Sequence, residues 1–142
     1  MPDSQTLSIV KPDAFASNNA GKIIAHLEAK GFRVRAARVV HLTSLQAEEF
    51  YGVHRARPFF GSLVTFMTSG PCMPLVLEKP DAVASLRQAI GATDPKEAEQ
   101  GTVRALFAVS KERNAIHASD SDENAARESH FFFSESELLA AK

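Results

Sequence analysis

Asn114-Ala115-Ile116-His117-Ala118-Ser119-Asp120-Ser121 passes from a short apolar run, Ala115-Ile116-His117, into a cluster of helix-starting side chains. Asp120 followed three positions later by Glu123 reads as a capping-box-like N-terminus, and Ala125, Ala126, Phe132 and Phe133 then recur at helical spacing. The stretch is therefore a last strand followed by a final helix, with His117 at the strand end facing the helix start. Backbone N–H groups gathered there disfavour an imidazolium and favour a bound anion. An uncharged histidine beside an anion is a nucleophile for phosphorus. Most of the five histidines in such a chain are packing or surface residues. What singles out His117 is its company, because Lys11, Arg87, Arg104 and Asn114 all lie at the edges of apolar segments that a fold could gather around one pocket.

Working outward, Thr6-Leu7-Ser8-Ile9-Val10 has the alternation of a strand, stopped by Lys11-Pro12-Asp13 because proline lacks the donor a central strand needs. Ala20 to Lys30 predicts a helix with Ile23, Ile24 and Leu27 on one face and Gly31 as its stop. From Phe32 to Leu42, Phe32, Val34 and Ala36 alternate with Arg33, Arg35 and Ala37, a strand with one wet face. Ser44, Ala47 and Glu48 begin a helix to about Tyr51. Leu63, Val64, Phe66 and Met67 follow Pro58-Phe59-Phe60-Gly61 as another, closed by Ser69-Gly70-Pro71. Met73 to Leu77 is a buried strand, and Asp81 caps a helix carrying Val83, Leu86 and Ile90 that Gly91 closes. Residues 92–113 form a long loop with a few helical turns. The order predicts an α+β, ferredoxin-like (split βαβ) sandwich, a four-stranded antiparallel sheet covered by helices.

With 142 residues, 44% of them hydrophobic, the chain suits one domain spanning 1–142. The formal net charge of −1 supplies no global field for nucleic acid or an anionic membrane, so any phosphate binding depends on locally grouped cations. The single Cys72 has no partner for an intramolecular disulfide and reads as packing. The start, Met1-Pro2-Asp3-Ser4-Gln5, lacks a basic region followed by an apolar stretch, and no run of eighteen apolar residues occurs. The expectation is a cytoplasmic protein with no membrane partner.

The chain closely resembles nucleoside diphosphate kinases from about Thr6 to Glu137. The resemblance is carried by Thr6-Leu7-Ser8-Ile9-Val10-Lys11-Pro12-Asp13, Arg57-Pro58-Phe59-Phe60, Met67-Thr68-Ser69-Gly70-Pro71, Gly91-Ala92-Thr93-Asp94-Pro95, Gly101-Thr102-Val103-Arg104 and the octapeptide around His117. It implies an enzyme that moves the terminal phosphate of a nucleoside triphosphate to a nucleoside diphosphate through a phosphohistidine, which here is His117. The same resemblance implies that Lys11 contacts ribose and phosphate, that Phe59 stacks on the base, and that Arg87, Arg104 and Thr93 hold the phosphates. It makes Asn114 the partner of the ribose hydroxyl and sets Tyr51, Ser119 and Glu128 around the histidine, with Glu128 orienting the ring. Stacking on Phe59 is indifferent to base identity and worth about 1–3 kcal/mol per base. Guanidinium suits phosphate because its fixed fork meets two oxygens at once. Free imidazole has a pKa of about 6.5, so no dedicated base is required.

The resemblance also implies Mg2+ carried on the nucleotide phosphates rather than in a protein site, and a homo-oligomer of two, four or six chains. The tail Ser134-Glu135-Ser136-Glu137-Leu138-Leu139 either takes part in that assembly or is solvated. The sequence departs from the family pattern at Ala118, where glycine is common and a left-handed conformation would cost roughly 1–2 kcal/mol. Leu106, Gly61-Ser62 and Lys79-Pro80 also depart from it. Two other readings are weaker. Lys30-Gly31-Phe32 matches the opening of an RNA-recognition strand, but Arg33-Val34-Arg35 lacks the small residue and aromatics that should follow. A nucleotide sensor without turnover would keep the same pocket and differ only in rate. No G-x-x-x-x-G-K-[ST] loop is present, which disfavours a Walker-type nucleotidase.

Overall fold

A computed structural model describes residues 4–139. Met1-Pro2-Asp3, part of the segment read for a leader, lies outside them. Four strands, β1 (Gln5–Val10), β2 (Arg33–Ala37), β3 (Met73–Glu78) and β4 (Ile116–Ala118), form one sheet in the order β2-β3-β1-β4. Every neighbouring pair is antiparallel. With the helices that connect the strands this is the expected α+β split βαβ sandwich.

β1 is central and buried along its whole length, so its alternation sorts residues between two cores rather than between core and water. Leu7 and Ile9 join Val76, Phe50, Tyr51, Met67 and Phe132 on one face. Val10 joins Leu75, Leu77, Ile116, Ile23 and Leu86 on the other. Each fully buried Leu or Ile contributes roughly 1.5–3 kcal/mol. A one-residue slip would exchange the two faces, so register is strongly set.

The first face is covered by α3 (Ser44–Phe50), α4 (Phe60–Met67), α7 (Asp122–Phe132) and α8 (Glu135–Leu138), and the second by α1 (Pro12–Ala16), α2 (Ala20–Ala29), α5 (Ala82–Ile90) and α6 (Val103–Phe107). α1 is absent from the sequence reading. Pro12 ends β1 and then occupies the first turn of the helix, where its missing donor costs nothing. Gly31 takes φ +97°, the left-handed stop expected after α2.

Several local expectations are corrected. β2 ends at Ala37 instead of continuing to Leu42. A register shift between Val34 and Ala36 breaks the alternation, because a bulge sets two residues against one, and Val34 is left 37% exposed. Val40 returns to the sheet only as a bridge to Cys72. Asp81 precedes α5 at φ +55° and makes no side-chain cap, since the left-handed backbone turns its carboxylate away from the orphan amides. At α7 the cap is Ser121, whose hydroxyl accepts from the Asn124 backbone amide, while Asp120 accepts instead from the Asn124 side chain at 2.7 Å. The segment 134–139 is largely exposed but is anchored at one point. Ser134 and Glu137 form a capping box for α8, Leu138 is buried, and its carbonyl accepts from Gln5 Nε2 at 2.8 Å. Both sheet faces are covered, so among the described residues no open β surface is left on which RNA bases could stack, and Lys30-Gly31-Phe32 is the turn from α2 into the edge strand.

Candidate active site

His117 lies on β4 opposite Ile9 of β1. Its neighbours Ile116 and Ala118 enter the second core, so alternation sends the imidazole to the other face, toward α3 and α7. There the ring meets Phe50 edge-on at 5.4 Å and Tyr51 at 6.0 Å. Nε2 is 2.7 Å from Oε1 of Glu128, and the same oxygen accepts from Ser119 Oγ at 2.7 Å. Burial pushes the Glu128 carboxyl up, but hydrogen bonds from His117 and Ser119, with the charge of Arg127, outweigh it and hold the group below its usual range. An ionised carboxylate only accepts, so Nε2 carries a proton, and in the neutral ring Nδ1 is the nitrogen that keeps its lone pair. The ring is therefore set by the carboxylate of Glu128. Glu128 stands nearly two turns into α7.

The backbone before the histidine is strained. Ala115 has φ +75° and the Ile116 amide donates to the Asn114 carbonyl at 2.9 Å, a γ-turn of the rarer, left-handed form. Such a residue costs about 1–3 kcal/mol and persists only where its surroundings over-determine it. Here the Ala115 amide donates to Asp13 Oδ2 at 3.1 Å and its carbonyl accepts from the Lys11 amide at 2.9 Å. Ala118, which a left-handed conformation would have strained, has no positive φ.

Three cations surround the strand. Arg104 on α6 donates through Nη2 to the Ile116 carbonyl at 2.8 Å and through Nη1 to the Gly91 carbonyl at 3.1 Å. Arg87 on α5 reaches the Ala118 carbonyl at 3.4 Å. The two guanidiniums thus hold the carbonyls on either side of His117. Lys11, at the end of β1, donates to Asn114 Oδ1 at 2.9 Å, and Asn114 Nδ2 donates to Lys111 O at 2.9 Å and Thr93 O at 3.4 Å. Burial, reinforced by Arg104, lowers Lys11 to about 8; burial, reinforced by Arg87, lowers Arg104 to about 10. Cations that repel one another in this way are relieved by a polyanion. The structure ties Thr93 in through its backbone and leaves its side chain exposed.

Phe59 stands at the start of α4, 46% exposed, with its ring 5.4 Å from that of His54. Tyr51 places a buried hydroxyl without a partner next to the imidazole, and burial keeps that phenol protonated. A cavity of about 440 Å³ opens beside Arg87, Gly91, Thr102 and Arg104, with Glu97 and Glu99 on its rim, but His117, Lys11 and Phe59 are not on its wall. Among the described residues no group of three or more His, Cys, Asp or Glu could hold a metal ion, and no helix is long and apolar enough to cross a membrane. Sequence reasoning missed Asp13, His54, Phe50 and Ser8, whose Oγ donates to the His117 carbonyl at 2.8 Å. Of these only Asp13 had a local signal, in its place directly after Lys11-Pro12. The departures at Gly61-Ser62 and Leu106 are exposed helix positions, and Lys79 donates to the Lys30 carbonyl.

Residues 4–138 match the family model described as nucleoside diphosphate kinase. A nucleoside diphosphate kinase of Chlorobium chlorochromatii is 56% identical over 135 residues, covering 95% of this chain and 96% of that one. One of Halorhodospira halophila is 54% identical over 140 residues, covering 99% of each. Among solved structures, the Aquifex aeolicus nucleoside diphosphate kinase superposes with a TM-score of 0.93 at 46% identity, covering 96% of this chain and 99% of that one. The Encephalitozoon cuniculi enzyme does so at 0.92 and 33%, covering 97% and 94%. The strand, histidine and guanidinium arrangement thus belongs to a phosphotransferase fold, and this chain is a member of the nucleoside diphosphate kinase family.

Proposed function

We propose that the chain transfers the γ-phosphate of a nucleoside triphosphate, typically ATP, to a nucleoside diphosphate through a phosphohistidine on His117. The observation that carries this reading is the imidazole whose Nε2 is committed to Glu128, leaving Nδ1 as nucleophile on a strand whose carbonyls before and after His117 are gripped by Arg104 and Arg87. The Nδ1 lone pair forms a bond to the γ-phosphorus in line as the bond to the bridging oxygen breaks. The electron pair of that bond leaves with the nucleoside diphosphate, whose charge the guanidiniums and Lys11 offset. The positive charge left on the ring is shared through Nε2–H with the Glu128 carboxylate. A second nucleoside diphosphate then attacks the phosphohistidine and the steps reverse. Little covalent chemistry is asked of the protein beyond the nucleophile, so the rate comes from positioning and charge.

Asn114 and Lys11 hold the ribose side of the substrate, Thr93 adds a hydroxyl to the phosphates, and Phe59 stacks on the base without discriminating among bases. Tyr51 and Ser119 pack around the reacting ring. Mg2+ is part of the substrate, held by the nucleotide phosphates, and adds positive charge there. We propose further that residues 1–142 act as one domain, assembled as a homo-oligomer of two, four or six chains in the cytoplasm, maintaining nucleoside triphosphate pools. The net charge of −1 and the covered sheet argue against nucleic acid as the main partner.

Incubation with γ-labelled ATP and denaturation should leave an acid-labile, alkali-stable label that chases onto added nucleoside diphosphates of several bases. His117→Ala should fold and take no label. Label retained by that variant, or nucleotide binding without turnover, refutes the proposal, the latter in favour of a sensor.

A further inference from the structure

The site uses the two oxygens of Glu128 differently. Oε1 takes the hydrogen bonds of His117 and Ser119, while Oε2 faces Arg127, whose Nη2 stands 3.7 Å away. That guanidinium is held in place. Nη2 also donates to the Phe50 carbonyl at 3.2 Å, and its central carbon lies 5.9 Å from the Phe50 ring, the same ring that packs edge-on to His117. Arg127 therefore fastens α7 to the end of α3 through Phe50, one of the residues packed on the imidazole. An exposed ion pair contributes little, but the Glu128 side chain is only 9% exposed against 41% for Arg127, so screening acts on one partner more than on the other.

A carboxylate bonded to an imidazole has two opposed effects. It fixes the tautomer that frees Nδ1, and it favours the imidazolium, which cannot attack phosphorus. A cation on the second carboxylate oxygen weakens the second effect without disturbing the first. We infer that Arg127 is a positioning residue for His117: it holds Glu128 by Oε2 and offsets its charge, so that the ring keeps its tautomer while the carboxylate's pull toward the imidazolium is weakened. This inference deepens the phosphotransfer reading and rests on it. The other groups around His117 are Ser119 and Asp120 after β4 and Tyr51 at the end of α3, with Arg87 on α5 and Arg104 on α6 bonded to the carbonyls of the residues on either side of it and Lys11 bonded to Asn114. None of them changes when residue 127 is substituted, so a comparison with the wild type isolates the guanidinium.

Arg127→Gln keeps a donor for the Phe50 carbonyl and removes the charge; Arg127→Lys restores it. The ring titration of His117, assigned with His117→Ala and followed by heteronuclear NMR on the unphosphorylated protein, should move upward by about half a pH unit in the glutamine variant. Single-turnover labelling by ATP should then slow about threefold on the acidic limb, equal the wild type above it, and be largely restored in the lysine variant. A loss of rate by one factor at every pH with an unmoved titration, the signature of a merely structural role, overturns the inference, as does a downward shift. The titration requires no turnover, so a wild-type protein that takes no label defeats the kinase reading alone, and the midpoint still decides the role of Arg127.

Discussion

The ammonium of Lys11 donates to Oδ1 of Asn114 at 2.9 Å across 103 residues of chain, inside a site already crowded by Arg104. Burial first, and Arg104 second, bring Lys11 down to about 8, against attraction from Asp13 and Glu112. The folded value lies below the unfolded one, so the fold penalises the ammonium. The penalty is full below pH 8 and is relieved as pH rises from there toward 10.5. Phosphate binding has the opposite need, because it uses the charged form. kcat/KM for nucleotide, which reports the free enzyme, should fall as pH rises through about 8, and this limb should vanish in Lys11→Arg, whose guanidinium stays charged. A limb that persists unchanged in the arginine variant assigns it to another group.

Glu128→Gln should cost activity on the order of 100-fold or more, as expected when a tautomer-fixing carboxylate is lost. The amide can present its NH2 to Nε2, which moves the ring proton to Nδ1 and removes the nucleophile. Ser119→Ala should cost much less, since it removes one of two donors to Oε1. The measurement is kcat beside a thermal melt, and equal losses in the two variants would contradict the tautomer argument.

Phe59→Ala should raise nucleotide KM by roughly 5-fold to 150-fold, equivalent to about 1–3 kcal/mol of stacking, with a similar factor for adenine, guanine, cytosine and uracil nucleotides. Phe59 is 46% exposed and outside both cores, so stability should change little. A loss confined to one base would mean that the ring reads base edges rather than faces.

Ala115→Gly and Ala118→Gly should differ, although both positions are buried beside the same histidine. Glycine at Ala115 relieves the φ of +75°, which offsets its own entropy cost, so stability should stay within about 0.5 kcal/mol of the wild type. At Ala118 there is no strain to relieve, and the same change should destabilise by about 0.5–1 kcal/mol. Urea denaturation of the two variants gives the order directly, and a reversal would mean that the γ-turn stores no strain.

Much of this site was legible because its signals are local. Pro12 stops a strand whatever surrounds it, Gly31 and Gly91 supply the positive φ that follows a helix, and the change from Ala115-Ile116-His117 to Ser121 marks strand and helix within one octapeptide. The errors arose where a local pattern admits two outcomes. Asp81 and Asp120 both look like caps, yet their backbone angles and neighbours decide whether the oxygen reaches an amide. The alternation from Phe32 onward looks continuous, yet an edge strand accommodates a bulge that a central strand with two covered faces would not.

By itself the amino-acid order determined the succession of elements, the split βαβ arrangement and the kinds of side chain available for phosphate chemistry, because hydrophobic period, proline and glycine act through nearest neighbours. Tertiary packing alone decided that His117 faces α7 rather than the opposite core, that Glu128 takes Nε2 and so leaves Nδ1 free, that two arginines grip the carbonyls around it, and that strain sits at Ala115. Those relations join residues from separate strands and helices. Their geometry depends on how two cores close on one sheet, a sum over the whole chain that no single stretch contains.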